Sequence, residues 1–209
     1  MRGFLITFEG IEHCGKTTQS QKLAEGLEKA GHEVLMTREP GGTPLGAAIR
    51  ELLLHQSVGE VDSVAELLLF AGDRAQHIRS LISPALDAGK IVISDRFYDS
   101  TRAYQGYGRQ VSMDIIDRAI SLATSGLRPD LSVLVDVDVV TSRSRAHEAV
   151  DDRIEQASNV FFDRVRQGFL SIAEGEPDRF LTVDGTNPID AVARVIFAEV
   201  NTRLEATRS

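Results

Sequence analysis

A glycine-rich segment near the start of the chain limits the possible folds more than any other feature. The segment Gly10-Ile-Glu-His-Cys-Gly-Lys-Thr17 matches the pattern GxxxxGK[ST]; an apolar run at 3–8 precedes it and a helical pattern at 16–30 follows it. Glycines let the backbone N–H groups turn inward toward phosphate oxygens, and the start of a helix adds partial positive charge. The segment therefore predicts a strand, a phosphate-binding loop and a helix in succession, with a nucleoside triphosphate as ligand.

Some side chains of this loop are candidates for binding phosphate or Mg²⁺, and others are expected to have no chemical role. Lys16 is placed to reach the β- and γ-phosphates, and the Thr17 hydroxyl is a suitable ligand for Mg²⁺. We expect His13 to be a solvent-facing filler and Cys14 to be an inert, small apolar side chain. Glu12 is unusual, because a carboxylate beside a triphosphate is repelled unless it faces a sugar hydroxyl or a cation.

The rest of the chain alternates short β-rich runs with helical patterns. Further strands are predicted at 33–37, 91–94, 131–137 and 180–183, and helices at 45–54, at 61–88 with a possible bend at Pro84, after Ser112 and around 192–200. This order predicts an α/β fold of three layers, with a five-stranded parallel sheet and helices on both faces. No linker or repeat interrupts residues 1–209, so we expect a single domain whose ligands bind beyond the carboxyl ends of the strands.

Composition excludes several classes of protein. The formal net charge is −8, which argues against a broad nucleic-acid-binding face. No apolar stretch approaches the length of a membrane span, and one cysteine allows no intrachain disulfide. These features predict a protein of a reducing, cytoplasmic compartment without a membrane or nucleic-acid partner.

A second pair of charged residues ends the predicted third strand. Asp95 can hold Mg²⁺-bound water, and Arg96 can neutralise a second phosphate. Taken alone, the pair is more typical of a surface ion pair at the end of a strand. The guanine-reading pattern NKxD is absent from the sequence.

Five sequence blocks in order give a more specific signal. The chain resembles the bacterial thymidylate kinases, which are P-loop nucleoside monophosphate kinases, from residue 8 to about residue 166. The blocks that carry this resemblance are FEGIEHCGKTT, TREPGGTPLG, FAGDRAQH, DRFYDSTRAYQG and DDRIEQAS.

The resemblance implies transfer of the γ-phosphoryl group of ATP to dTMP, with Mg²⁺ held by Thr17 and Asp95. Phe70 would stack on thymine, Arg74 would bind its carbonyl oxygen, and Tyr104 would disfavour a ribose hydroxyl. Without the resemblance, Phe70 would be read as core, Arg74 as a solvated helix charge and Tyr104 as a packing residue. The resemblance implies four catalytic residues: Lys16, Asp95, Arg96 and Arg153. The ATP site that it implies consists of Gly10, Ile11, Glu12, His13, Cys14, Gly15, Lys16, Thr17, Thr18 and Arg143. The dTMP site that it implies consists of Glu12, Arg38, Phe70, Arg74, Arg96, Ser100, Thr101, Tyr104 and Gln105.

The resemblance also implies a mobile lid at about 141–155 and a homodimer formed through long apolar helices. The loop carries His13 where an arginine would supply charge to the transferring phosphoryl group, so Arg153 of the lid is the expected source, while Arg143 is expected at adenine. HEAVDD stands where a shorter, glycine-containing turn is usual in the family. Two alternatives remain open: a deoxynucleoside kinase of related fold, and a P-loop ATPase switch.

Overall fold

The computed structural model describes residues 2–54, 59–146 and 154–206. The strands are β1 (Phe4–Glu9), β2 (Val34–Arg38), β3 (Ile91–Asp95), β4 (Leu131–Asp136) and β5 (Phe180–Asp184). Each strand begins and ends within one residue of its predicted bounds. They form a five-stranded parallel sheet in the order β2-β3-β1-β4-β5, which confirms the predicted fold class.

Helices connect the strands. The α-helices are α1 (Lys16–Lys29), α2 (Pro44–Leu54), α3 (Ser63–His77), α4 (Ser83–Asp87), α5 (Tyr98–Thr101), α6 (Met113–Thr124), α7 (Val139–Ser144), α8 (Asn159–Gly175) and α9 (Ile189–Ala206), with π-helical turns π1 (Ile78–Ile82) and π2 (Arg102–Gly108).

The sheet is covered on both faces because its strands alternate between two apolar clusters. Phe4 and Ile6 of β1 pack in one cluster with Leu27 of α1, whereas Leu5 between them packs with Leu67 of α3 and Ile116 of α6. Alternation with a period of two residues is the geometry of a strand that is buried on both sides.

The predicted helix at 61–88 forms as α3, π1 and α4 in direct succession, and the irregularity expected near Pro84 is the π-helical turn. It begins at Ser63, where the Asp62 carboxylate accepts from two backbone N–H groups, and it changes to π geometry at Ile78–Ile82. Pro84 has no N–H to donate to the carbonyl of Ser80, and its ring crowds that carbonyl, so a wider turn just before the proline relieves the conflict.

Three helical segments were not predicted. In α8, Phe161, Val165 and Phe169 recur at four-residue spacing and are buried, and the hydroxyl group of Ser158 caps the helix start. That spacing was a readable signal. The segments α5 to π2 and α7 are short and carry no comparable pattern. Ser112 does precede α6 as predicted, but its side chain makes no capping hydrogen bond.

Within the described ranges, none of the helices combines the length and the apolar character that a membrane crossing demands.

Candidate active site

A cleft of about 270 Å³ lies where the segments after β1, β2 and β3 meet α3, α5 and π2. This is the carboxyl edge of the sheet, where parallel α/β folds bind ligands. Five basic side chains line the cleft, although the whole chain carries a net charge of −8: Lys16, Arg38, Arg50, Arg74 and Arg96.

The loop after β1 has the backbone of a phosphate cradle. Gly10 has φ of 137° and an added Cβ would lie 2.5 Å from the carbonyl oxygen of Val135, so only glycine fits there. Gly15, at the start of α1, has φ of 105°. The buried Lys16 ammonium donates to the carbonyl oxygen of Ile11 at 2.7 Å and lines the cleft.

The structure confirms the predicted environment of the Cys14 side chain but not that of the His13 side chain. Cys14 is 1% exposed, as expected of a small apolar side chain. The prediction that His13 faces solvent as a filler is wrong: the side chain lines the cleft, and its Nε2 lies 3.3 Å from Oε2 of Glu155. His13 also has φ of 54°, which places it in the left-handed region.

Two hard oxygen ligands face each other at the mouth of the loop. The hydroxyl group of Thr17 donates to Oδ2 of Asp95 at 2.7 Å, and both residues line the cleft. Hydroxyl and carboxylate oxygens are the donor set that Mg²⁺ takes when phosphates and waters supply its other positions.

Arg96 is held in the cleft wall by four hydrogen bonds. Its Nη1 donates to the carbonyl oxygen of Gly10 at 2.8 Å and to Oγ of Ser100 at 3.0 Å. Its Nη2 donates to Glu12 at 3.0 Å and to the hydroxyl oxygen of Tyr104 at 3.1 Å. Burial alone would lower the pKa of Arg96, but Tyr104, Glu12 and Asp95 raise it above its ordinary value, so the group stays cationic.

Tyr104 and Glu12 form one side of this arrangement. The Tyr104 hydroxyl donates to the Glu12 carboxylate, within 2.8 Å of one oxygen and 2.7 Å of the other. The guanidinium group of Arg96 also lies 4.9 Å from the centre of the Tyr104 ring. Burial raises the pKa of Tyr104 well above its usual range, so this side chain remains a hydrogen-bond donor.

Arg74 is a buried residue and not a solvated helix charge. It is 1% exposed, and its Nε donates to Oε2 of Glu39 at 2.8 Å. Its other nitrogens donate to Oγ1 of Thr101 and to the carbonyl oxygen of Phe97. Nδ1 of His77 lies 3.0 Å from the second Glu39 oxygen, and the Glu39–Pro40 peptide bond is cis. Arg74 thus reaches the cleft wall from a buried, hydrogen-bonded polar cluster.

The remaining predicted acceptor-site residues also line the cleft. Phe70 is half-buried, and Gln105 is buried with its amide donating to Glu66 at 2.8 Å. Arg38 is exposed at the rim, while Arg50 donates to the carbonyl oxygen of Pro40. The cleft wall contains these predicted residues: Glu12, His13, Lys16, Thr17, Arg38, Phe70, Arg74, Asp95, Arg96, Ser100, Thr101, Tyr104 and Gln105.

Other predicted residues lie elsewhere. Gly10, Ile11, Cys14 and Gly15 belong to the loop but do not line the cleft wall, and Thr18 is exposed on α1. Arg153 and the predicted lid residues 147–153 lie outside the described residues.

The arginines that flank the undescribed part of the lid are anchored. Arg143 donates to the carbonyl oxygens of Glu155 and Ala157, both at 2.6 Å, and lies 4.7 Å from the ring centre of Phe162. Arg145 donates to the carbonyl oxygens of Cys14 and Gly185. The Arg143 contacts join the two sides of the undescribed segment, and the Arg145 contact with Cys14 joins this region to the phosphate-binding loop.

Sequence reasoning missed two buried carboxyl groups behind the cleft. Burial and the charge of Asp99 raise the pKa of Glu9 to about 8. Burial and the charge of Glu39 raise the pKa of Asp73 to about 6, and Oδ2 of Asp73 has no hydrogen-bond partner among the described residues. An acidic residue at the end of an otherwise apolar strand was the available signal for Glu9.

Comparison with known proteins gives one consistent answer. The thymidylate kinase family model matches residues 8–196. A thymidylate kinase of Geobacter sulfurreducens is 46% identical over 201 residues, covering 93% of this chain and 94% of the relative. One of Deinococcus radiodurans is also 46% identical, covering 97% of this chain and 98% of the relative.

A solved structure agrees with the sequence relatives. The crystal structure of thymidylate kinase from Ehrlichia chaffeensis superposes with a TM-score of 0.80 at 36% identity, covering 96% of this chain and all of that one. The family match covers most of the chain, and the relatives share one name. The phosphate-binding loop and the cationic cleft agree with them. The chain therefore belongs to the thymidylate kinase family of phosphotransferases acting on dTMP.

Proposed function

We propose that the cleft binds ATP at the phosphate-binding loop and dTMP at the Phe70 end, and that the γ-phosphoryl group passes directly between them to give ADP and dTDP. The observation that carries this assignment is that Lys16 of the phosphate-binding loop lines the same cleft as Arg96 and Arg74. Two nucleotides that meet end to end repel each other, and the cations that line the cleft relieve that repulsion.

The donor end is the loop itself. Its backbone N–H groups and the start of α1 favour the phosphates of ATP, and Lys16 exchanges its bond to the carbonyl oxygen of Ile11 for a phosphate oxygen. Thr17 and Asp95 would hold Mg²⁺, whose chemistry when bound is to offset negative charge on the phosphates.

The acceptor end needs charge neutralisation rather than a base. The phosphate of dTMP has its second pKa near ~6, so at neutral pH it is largely a dianion and already nucleophilic. Arg96 and the exposed Arg38 bind this phosphate in the proposal. Four donors of Arg96 are engaged in the structure, so the phosphate takes the remaining Nε–H or displaces Glu12.

The nucleoside is recognised beyond the phosphate. Phe70 offers a ring face for stacking on thymine, which is worth about 1–3 kcal/mol per base. Arg74 keeps two N–H hydrogens beyond its three protein bonds, and these suit a thymine carbonyl oxygen. Ser100, Thr101 and Gln105 contact the base or the phosphate.

The sugar is recognised by the second part of this wall. Tyr104 and Glu12 are held against each other, so the tyrosine ring occupies the space where a ribose 2′-hydroxyl group would enter. Glu12 is the acceptor for the 3′-hydroxyl of the deoxyribose.

The lid completes the site on closure, which excludes water and suppresses ATP hydrolysis. Arg153 supplies positive charge to the transferring phosphoryl group, and Arg143 contacts adenine. Residues 1–209 act as one domain, in the cytoplasm, and as a homodimer. The dimer proposal is supported by the exposed leucines of neighbouring α2 and α3, namely Leu45, Leu52 and Leu68, which are 52%, 49% and 60% exposed.

A coupled assay of ADP release tests the proposal. The purified chain is mixed with ATP and Mg²⁺ and offered dTMP, dUMP, dCMP, dAMP, dGMP or thymidine in turn. We expect turnover with dTMP to exceed that with the purine and cytosine monophosphates. Turnover of thymidine above that of dTMP would indicate a nucleoside kinase, and ADP release that ignores every acceptor would indicate an ATPase.

A further inference from the structure

Three consecutive residues at the end of β1, Phe8, Glu9 and Gly10, accept hydrogen bonds from Arg96 and Phe97. The backbone N–H of Arg96 donates to the carbonyl oxygen of Phe8 at 2.9 Å, and its Nη1 donates to the carbonyl oxygen of Gly10 at 2.8 Å. Between them, the carboxyl group of Glu9 accepts from the backbone N–H of Phe97 at 2.9 Å. Glu9 is the only one of the three that makes this contact with its side chain.

The second oxygen of Glu9 reaches the guanidinium group through one intermediate. Oγ of Ser100 lies 2.6 Å from Oε2 of Glu9, and the same Oγ accepts from Nη1 of Arg96 at 3.0 Å. One carboxyl group therefore fixes both the backbone after Arg96 and the hydroxyl group on which Arg96 rests.

This support matters because Arg96 has an unfavourable backbone conformation. Its φ of 71° is in the left-handed region, which a non-glycine residue adopts only when its surroundings hold it there. Glu9 is 0% exposed, so water cannot replace its hydrogen bonds if the carboxyl group is removed.

Glu9 interacts electrostatically with a buried ion pair. The charge of Asp99 opposes ionisation of Glu9, and Arg179 donates to Asp99 in two hydrogen bonds of 2.6 and 2.9 Å. Arg179 also donates to Ser132 on β4. Burial and Asp99 therefore disfavour the ionised form of Glu9, whereas Arg96 favours it.

We propose that Glu9 is a positioning residue for the dTMP phosphate: it holds Arg96 in the orientation that binds this group, through Phe97 and Ser100. The inference rests on the proposed function, because it assumes that Arg96 contacts the acceptor phosphate. It adds a residue that touches neither nucleotide and acts through the arginine.

The test compares dTMP with thymidine, since only dTMP carries the phosphate. Binding of each is measured by titration calorimetry for the wild type, Glu9→Met and Glu9→Gln. Methionine keeps the length of the side chain but accepts no comparable hydrogen bond, whereas glutamine keeps an acceptor for Phe97 and a polar partner for Ser100. We expect Glu9→Met to weaken dTMP binding by about tenfold or more while thymidine binding stays within about twofold, and Glu9→Gln to retain most of the preference for dTMP.

Two controls separate positioning from general damage. Asp130 also accepts a backbone N–H of β1, that of Leu5, but at the opposite end of the strand, so Asp130→Asn should leave the dTMP preference unchanged. In a background of Arg96→Met, Glu9→Met should have no further effect on dTMP binding, because the residue through which it acts is already gone. If Glu9→Met does not fold, Glu9→Asp replaces it, since the shorter side chain cannot reach both Phe97 and Ser100 and should lose the preference that Glu9→Gln keeps.

The outcomes are distinguishable. A wild type that binds thymidine as tightly as dTMP would overturn the role of Arg96 in the proposed function. A wild type that prefers dTMP, with a preference that Glu9→Met and Glu9→Asp leave intact, would overturn only the role of Glu9. An equal further loss in the Arg96→Met background would also overturn it.

Discussion

Replacing Asp73 with asparagine should stabilise the protein at neutral and mildly alkaline pH. Asp73 is 0% exposed, and its one described hydrogen bond is a long contact of 3.4 Å from the backbone N–H of Gly41. Burial and the neighbouring Glu39 raise the pKa of Asp73 from 3.8 to about 6. Above that pH, the fold contains a buried charge that lacks adequate partners.

The magnitude follows from this shift. A carboxyl group with a raised pKa binds more protons in the folded chain, so its contribution to stability is full below pH 3.8 and is lost as the pH rises through about 6. At about 1.4 kcal/mol per pH unit, the shift corresponds to a loss of about 3 kcal/mol. Asparagine keeps an acceptor for Gly41 and never ionises, but its amide nitrogen has to find an acceptor. The expected net gain is therefore about 1–2 kcal/mol.

Urea unfolding followed by circular dichroism between pH 4 and 8 measures the effect. Asp73→Asn should be more stable than the wild type at pH 7.5, and the difference should shrink as the pH falls to 4. Asp190 is the control of opposite sign, because its hydrogen bond with Lys22 lowers its pKa and its asparagine variant should be slightly less stable at neutral pH. The reasoning is refuted if Asp73→Asn is less stable than the wild type by an amount that does not change with pH.

Three substitutions test the proposed roles in the cleft. Arg153→Ala should lower kcat at least about tenfold with little change in dTMP affinity, because the charge of Arg153 is needed only during transfer. An unchanged rate constant for phosphoryl transfer in single-turnover assays would remove Arg153 from that role. Thr17→Ala should raise the Mg²⁺ concentration for half-maximal rate by about tenfold, and an unchanged Mg²⁺ titration would contradict this. Phe70→Ala should raise the KM for dTMP by about five- to 150-fold through lost stacking and leave the KM for ATP alone, so a parallel rise in both constants would count against it.

The sheet was predictable because each strand is a short apolar run bounded by polar residues. The run at 131–137, for example, corresponds to β4 at Leu131–Asp136. The phosphate-binding loop was predictable for a different reason: Gly10 and Gly15 occupy positions that need positive φ, so the motif records a backbone shape directly.

The failures have equally local causes. Apolar residues at a constant helical spacing could not show that the irregularity near Pro84 would be a π-helical turn at Ile78–Ile82. His13 was predicted as a filler because its partner, Glu155, lies 142 residues away and only the fold brings them together. Long-range pairs of this kind have no sequence pattern.

The roles of buried polar residues were the hardest to predict. Glu9 ends an apolar strand, and nothing in its neighbours in sequence reveals that Phe97 and Ser100 will meet its carboxyl group. The sequence resemblance placed Arg74 at the base, but its pairing with Glu39 and His77 depends on α3 lying beside the loop after β2.

The most direct test of the account follows the fate of the transferred phosphate. The chain is incubated with γ-³²P-labelled ATP, Mg²⁺, dTMP and an equal concentration of thymidine, and the products are separated by chromatography. The account predicts that the label is transferred from ATP to dTDP, that labelled dTDP forms at the same rate as ADP, and that little inorganic phosphate appears. Label appearing mainly in dTMP, made from thymidine, or in free phosphate would contradict the claim that this cleft joins ATP and dTMP end to end.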